Sequence, residues 1–357
     1  MRKGERMRIA NIMFAKGGGG IEQAFVDYCE GLRDLGREVI AVTAPNAWAN
    51  SELDRLNIEN HSIGNMGEWD LIAAHRLRKL LDELNVDVVI AHANRAFGLS
   101  RKAIKGTMPL VGVVQNYSTS RYNQADAVFT TTHDLISTLV AQGIPQDRVY
   151  HIPNMVKCLE LPHRNPRNNP PVIGAVGRFV AKKGFDVYID ALKILKNNGI
   201  SFKAVLGGSG EEEGKLKARA AAAGLEEGLT FIGWVKDKKE FYTNIDIFCL
   251  PSLHEPFGIV LLEAFTYGAA VVATDSEGPR DIITPNHDAL IVPKGNAEEL
   301  AKALEILIKN VTESDRLAAN AFAKTKTKYS QEVVCAQIVV AVETICKRWE
   351  INHTSKL

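Results

Sequence analysis

Several things are scarce or missing in this chain of 357 residues. Cysteine is scarce: Cys29, Cys158, Cys249, Cys335 and Cys346 are odd in number and scattered, with no CxxC pair. That excludes the usual zinc and redox motifs and reads as free thiols in a reducing compartment. No apolar run reaches the roughly 18 residues a membrane-spanning helix needs. The first twenty residues are charged but lack an apolar core followed by a cleavage site, so they are not a signal peptide and a cytoplasmic location is expected. Charge of one sign is missing too. Lys and Arg number 43 against 42 Asp and Glu, a net charge of +1, without the basic surplus of a nucleic-acid binder. Three chemical motifs are absent: DxD, GxSxG and HExxH. Their absence argues against a carboxylate-held metal, so none is expected, and against hydrolase readings.

What is present is an ordinary globular composition, 46% hydrophobic and 24% charged. The length suits two domains at roughly 150 residues each. Short apolar runs alternate with amphipathic stretches. Arg8 to Phe14 reads as a buried strand, and Ile21 to Leu35 as a helix with Gly36 as its stop. Further strands are expected at Glu38–Thr43, Val86–Ala91, Leu110–Val114 and Ala127–Thr130. Residues 157–171 carry four prolines and little periodicity, which makes them the linker candidate. The alternation restarts at Val172–Val176 and continues through strands near 202–206, 229–232, 247–250, 269–274 and 289–292. The tail, Ser330 to Arg348, reads as one long amphipathic helix. The pattern predicts an α/β fold of two doubly wound, Rossmann-like domains: 1–156, the linker, then 172–330, with 331–357 as a closing helix.

Open parallel sheets bind ligands beyond their carboxyl ends, so the segments after strands matter most. Four of them carry chemistry. KGGGGIEQ, residues 16–23, links the first strand to the first helix. It fits neither the dinucleotide fingerprint nor the P-loop, and reads either as a flexible turn or as backbone that approaches a phosphate or sugar. GRFVAKKGFD, residues 177–186, puts Arg178 and Lys183 on one loop, where two cations can neutralise a diphosphate or simply face solvent. In LGGSGEEE, residues 206–213, Gly208 and Gly210 can admit a ligand, while Glu211 to Glu213 suit a helix N-terminus. PSLHEPFGIVLLEAFTYGAAVVATD, residues 251–275, is the most specific: Glu255 stands before Pro256-Phe257-Gly258, which opens a helix, and Glu263 lies inside it. Carboxylates accept from vicinal diols; capping and surface acids are the plainer alternative.

Taken in order, GRxxxxKG, a GxG turn and PSxxExFGxxxLEAxxxG resemble the glycosyltransferase family 4 group, with its Glu-x7-Glu signature at Glu255 and Glu263. The resemblance spans residues 7–348, with the specific motifs in 172–293. It implies a GT-B fold, two domains facing each other across a cleft, and a closing helix that crosses back to the N-terminal domain. It implies a retaining hexosyltransferase acting on a nucleotide-diphosphate sugar, a UDP-sugar by preference. The nucleotide-sugar is a co-substrate, and no cofactor is implied. Arg178 and Lys183 would bind the diphosphate, and Glu263 the ribose. Glu255 would contact the transferred sugar, with Phe257, Gly258 and Ile259 near its hydroxyls or the phosphate. Gly19 and Gly20 would approach the diphosphate, and Trp234 and Val235 would lie near the base, with Gly208 in the same donor set.

One departure stands out. Where many members carry a histidine after a central strand of the N-terminal domain, this chain has Gln115 and Asn116, amides that cannot titrate but can contact sugar. His92, after the preceding strand, is the next catalytic candidate beside a purely structural reading. The acceptor is expected to be a glycan or glycolipid of the cell envelope, such as lipopolysaccharide core or another surface polysaccharide. Arg76, Arg78, Lys79, Arg95, Arg101, Lys102 and Lys105 form a basic cluster in sequence. It reads as a solvated face or as peripheral contact with the inner membrane surface. A nucleotide-sugar epimerase and a non-catalytic nucleotide-sugar binder remain as alternatives.

Overall fold

The structure, a computed structural model, describes residues 7–119, 121–160, 165 and 167–354. The chain divides into two compact units. One comprises residues 1–155 with 331–357, the other Val156–Ser330.

The first unit is built on a seven-stranded sheet among the described residues. Its strands are β1 (Arg8–Met13), β2 (Glu38–Thr43), β3 (Asn60–Ser62), β4 (Val88–His92), β5 (Leu110–Val114), β6 (Ala127–Thr130) and β7 (Val149–His151). They pair in parallel in the order β3-β2-β1-β4-β5-β6-β7. The central strands are apolar along their whole length because helices cover both faces. The first helix, Gly20–Asp34, ends as expected: Gly36 takes φ +73°, a conformation that favours glycine, and its N–H bonds Arg33 O at 2.8 Å. The closing helix, Gln331–Thr354, is longer than the sequence pattern indicates. Its Val334, Cys335, Ile338, Val342 and Ile345 fill the core on the β1 side of this unit.

The second unit carries a six-stranded parallel sheet among the described residues. Its strands are β8 (Val172–Val176), β9 (Lys203–Gly207), β10 (Leu229–Gly233), β11 (Ile247–Leu250), β12 (Ala270–Thr274) and β13 (Leu290–Val292), in the order β10-β9-β8-β11-β12-β13. In both sheets the strand order reverses beside the first strand, which sets a switch point at β1/β4 and another at β8/β11.

The stretch 157–171 is not a separate linker. It counts with the second unit, and its described residues are tied down there. Asn168 Nδ2 donates to Asp246 Oδ2 at 2.9 Å, and Arg167 donates to Leu307 O at 2.8 Å. Asp246 also accepts from Val172 N at 2.8 Å, so one buried carboxylate anchors both the incoming chain and the start of β8. Pro162 and Pro166 fall outside the described residues. All five cysteines are free, and four are buried.

Candidate functional site

The β8/β11 switch point gathers the second unit's chemistry. Beyond β8 the chain runs through Arg178 into a 3-10 turn, Ala181–Lys183, then through Gly184 into the helix Phe185–Asn197. Beyond β11 it runs through Pro251 and Ser252 to Glu255. The two loops are stitched by backbone: Leu253 N donates to Lys182 O at 2.9 Å, and His254 N to the same oxygen at 3.2 Å. Gly184 allows this closeness. It sits at φ +64°, and a Cβ there would lie 2.1 Å from Pro251 O.

The stitching brings together residues 72 positions apart. Lys183 Nζ donates to Glu255 Oε2 at 2.5 Å, with the two side chains 17% and 9% exposed. Ser252 Oγ donates to the same carboxylate at 3.3 Å. Glu255 is held at its backbone as well. Its N–H donates to Glu277 Oε2 at 3.1 Å, and its carbonyl accepts from Gly278 N at 2.7 Å. Burial alone would raise the pKa of Glu277, but the amides of Glu277 and Glu255 and the His254 ring outweigh it and lower the pKa. Arg178 is exposed and makes no ion pair among the described residues.

Glu263 occupies the helix Ile259–Thr266, which opens from Gly258 (φ +92°) at its N-cap, with Pro256 and Phe257 in the bend just before it. Phe257 is buried in the core beneath. The Glu263 carboxylate accepts from Lys238 Nζ at 2.6 Å on one oxygen and from Tyr242 Oη at 3.0 Å on the other. Burial, and then the Glu263 charge, hold the Tyr242 phenol well above its ordinary pKa, so it stays a donor. Lys238 and Tyr242 escape a reading by motif because they lie on another helix, Lys238–Thr243, more than twenty residues upstream. Gly208 (φ +138°) donates its N–H to Gly233 O at 2.6 Å, while Trp234 is 56% exposed just past β10 and Val235 packs, partly buried, against the core cluster of this unit.

In the first unit, Gln115 and Asn116 line a cavity of about 560 Å³ beyond β1, β4 and β5, together with Lys16, Asn94 and Arg95. Gln115 Nε2 donates to Asn154 Oδ1 at 2.8 Å, which leaves Gln115 Oε1 buried without a partner among the described residues. Asn116 Oδ1 accepts from Ser118 N at 3.0 Å. Gly19 and Gly20 start the first helix, with Gly19 N donating to Glu22 Oε2 at 3.0 Å.

His92 also lines this cavity, and its Nδ1 is buried without a hydrogen-bond partner among the described residues. Its ring is 0% exposed, edge-on to Phe25 and Tyr28, and 2.9 Å from Asn11 Oδ1. Asn11 Nδ2 is turned the other way, donating to Phe25 O at 3.1 Å. His92 Nε2 therefore carries the proton. Burial pushes the pKa down from 6.5 to about 3. The folded value lies below the unfolded one, so His92's contribution to stability is whole above about pH 6.5 and lost as pH falls toward 3. His92→Gln removes this pH dependence. Between pH 7 and pH 4.5 the wild type is expected to lose about 2 kcal/mol more than the variant in urea unfolding followed by circular dichroism. Parallel pH curves would refute it.

Comparison with known proteins places these features in company. A family model described as "Glycosyl transferases group 1" matches residues 160–324, and one described as "Glycosyltransferase Family 4" matches 18–158. The lipopolysaccharide core biosynthesis glycosyltransferase LpsE of Rhizobium meliloti is 27% identical over 336 residues, covering 92% of this chain and 96% of that protein. A phosphatidyl-myo-inositol mannosyltransferase of Mycobacterium leprae is 29% identical, over 76% of each. The crystal structure of HepE from Anabaena, solved with UDP and glucose, superposes with a TM-score of 0.84 at 20% identity, covering 95% of this chain and 100% of that one. At that identity the likeness is one of fold.

Proposed function

The chain belongs to the glycosyltransferase family 4 group and has its GT-B fold, and from that premise we propose that it is a retaining transferase. It moves a hexose from a UDP-sugar to a glycan or glycolipid acceptor in lipopolysaccharide or related envelope polysaccharide synthesis. The observation that carries this reading is the convergence of Arg178, Lys183 and Glu255 at the β8/β11 switch point, with Glu263 on the adjoining helix.

The roles follow from the chemistry of each group. Arg178, unpaired among the described residues, is available to a diphosphate and offers it a planar fork of donors. Lys183 adds a second cation and at the same time holds the Glu255 carboxylate oriented toward a sugar hydroxyl. Glu263, steadied by Lys238 and Tyr242, presents a carboxylate to a ribose diol. As the anomeric carbon–phosphate oxygen bond breaks, a bond to the acceptor oxygen forms on the same face, and the acceptor proton passes to the departing phosphate. No enzyme nucleophile is needed, and catalysis is mainly positioning and stabilisation of leaving-group charge. The LpsE similarity supports an envelope-glycan acceptor.

A nucleotide-release assay with UDP-, GDP- and ADP-sugars, with and without membrane glycolipid, tests the reading. Release is expected from the UDP-sugar, accelerated by glycolipid, and about 100-fold or more slower in Arg178→Ala. Tight nucleotide binding with no release from any donor would replace it with a non-catalytic binder. An inverted product anomer by NMR would overturn retention.

A further inference from the structure

Large apolar side chains are not spread evenly over this surface. Met66, Trp69 and Leu71 are the three most exposed large apolar side chains among the described residues, at 95%, 77% and 72%, and Ile72 is 67% exposed, close behind Ile351 of the closing helix at 68%. Met66, Trp69, Leu71 and Ile72 lie within seven residues, at the start of the helix Leu71–Glu83 in the first unit. That helix buries Ala73, Ala74, Leu77 and Leu81 in the core, so the crest is not needed to complete it. A contiguous exposed apolar patch calls for a partner.

The crest is rigid. Asp70 Oδ1 accepts from Ala73 N at 2.9 Å and caps the helix, while Oδ2 accepts from Met66 N at 3.1 Å and closes the preceding turn. Lys102 Nζ stands 3.5 Å from the centre of the Trp69 ring and donates to Glu68 O at 2.7 Å, which fixes the indole in place. Beside Trp69 opens a cavity of about 310 Å³ lined by Arg101, Lys102 and Arg121. Arg121 is paired with Glu68, but Arg101 and Lys102 have no carboxylate partner among the described residues. Arg76 and Lys79 continue the basic flank along the helix.

We infer that this crest docks the protein on a bilayer carrying anionic lipids, with Met66, Trp69, Leu71 and Ile72 entering the interface and Arg101 and Lys102 meeting headgroup phosphates. An apolar tip with an amphipathic indole and adjoining cations matches a surface that is apolar below and negative above. The basic flank disfavours a second copy of the chain, since a two-fold pairing would set cation against cation. No helix of the described residues is long and apolar enough to cross a membrane.

The test is co-sedimentation of the full chain with phosphatidylcholine vesicles, with and without 30 mol% (about one lipid in three) phosphatidylglycerol. Binding is expected to the anionic vesicles, to weaken with salt, and to fall about tenfold or more in Arg101→Gln/Lys102→Gln. It is expected to be lost in Trp69→Ser/Leu71→Gln/Ile72→Gln. Brominated lipid should quench tryptophan emission in the wild type but not in Trp69→Phe, a readout independent of whether the multiple variant folds. Equal binding to neutral and anionic vesicles, no quenching, or concentration-dependent self-association abolished by Trp69→Ser would overturn the proposal.

Discussion

Replacing Lys183 by methionine is expected to slow turnover 100- to 1,000-fold and to destabilise the second unit as well. The two losses have different origins. The activity loss reflects a missing cation where the diphosphate charge develops and a Glu255 carboxylate no longer aimed. The stability loss arises because Glu255 is 9% exposed and loses its only charged partner among the described residues. Removing one member of such a pair costs about 3 kcal/mol. The second substitution separates them. In Lys183→Met/Glu255→Gln no unpaired charge remains, so urea unfolding should return most of the way to the wild-type midpoint while nucleotide release stays low. Recovery of activity in the double variant would show that the pair is structural and that the catalytic charge comes from elsewhere.

Gly184→Ala is expected to be nearly as damaging, although it adds one methyl group and changes no charge. The backbone at φ +64° is strained for alanine, and the added carbon would stand 2.1 Å from Pro251 O, which cannot swing aside as a side chain could. The two loops must part. The strain and displacement together cost about 3 kcal/mol or more, and the hydrogen bonds from Leu253 and His254 to Lys182 O weaken with them. Lys183 then no longer meets Glu255. The measurements are thermal unfolding, expected to shift by roughly 10 °C for a unit of this size, and nucleotide release, expected to fall with it. A Gly184→Ala protein with wild-type melting and activity would show that the loops do not need to touch.

The central strands and the Glu255–Glu263 spacing are legible in the sequence because they obey local rules: continuous apolar runs, a glycine stop, a fixed separation along one segment. β3 is not legible, since Asn60-His61-Ser62 is an edge strand with little to bury, and its pairing with β2 is decided by the backbone. β7 is short and half-buried for the same reason. At the site, the Lys183–Glu255 pair and the Lys238–Glu263–Tyr242 cluster depend on sheet order, which no spacing along the chain expresses. His92 shows the converse. Its residue type and place after β4 suggest chemistry, and only the surrounding Phe25, Tyr28 and Asn11 reveal a ring kept neutral by burial.

The closing helix has a consequence for how the protein is made. Residues 1–155 are made before the second unit, yet Val334, Cys335, Ile338, Val342 and Ile345, which complete their interior, are made after it. Without them the first unit's apolar wall stays uncovered, while 156–330 is contiguous in sequence and needs no later residue to fold. A released chain truncated after residue 330 should therefore present one protease-resistant unit, the second.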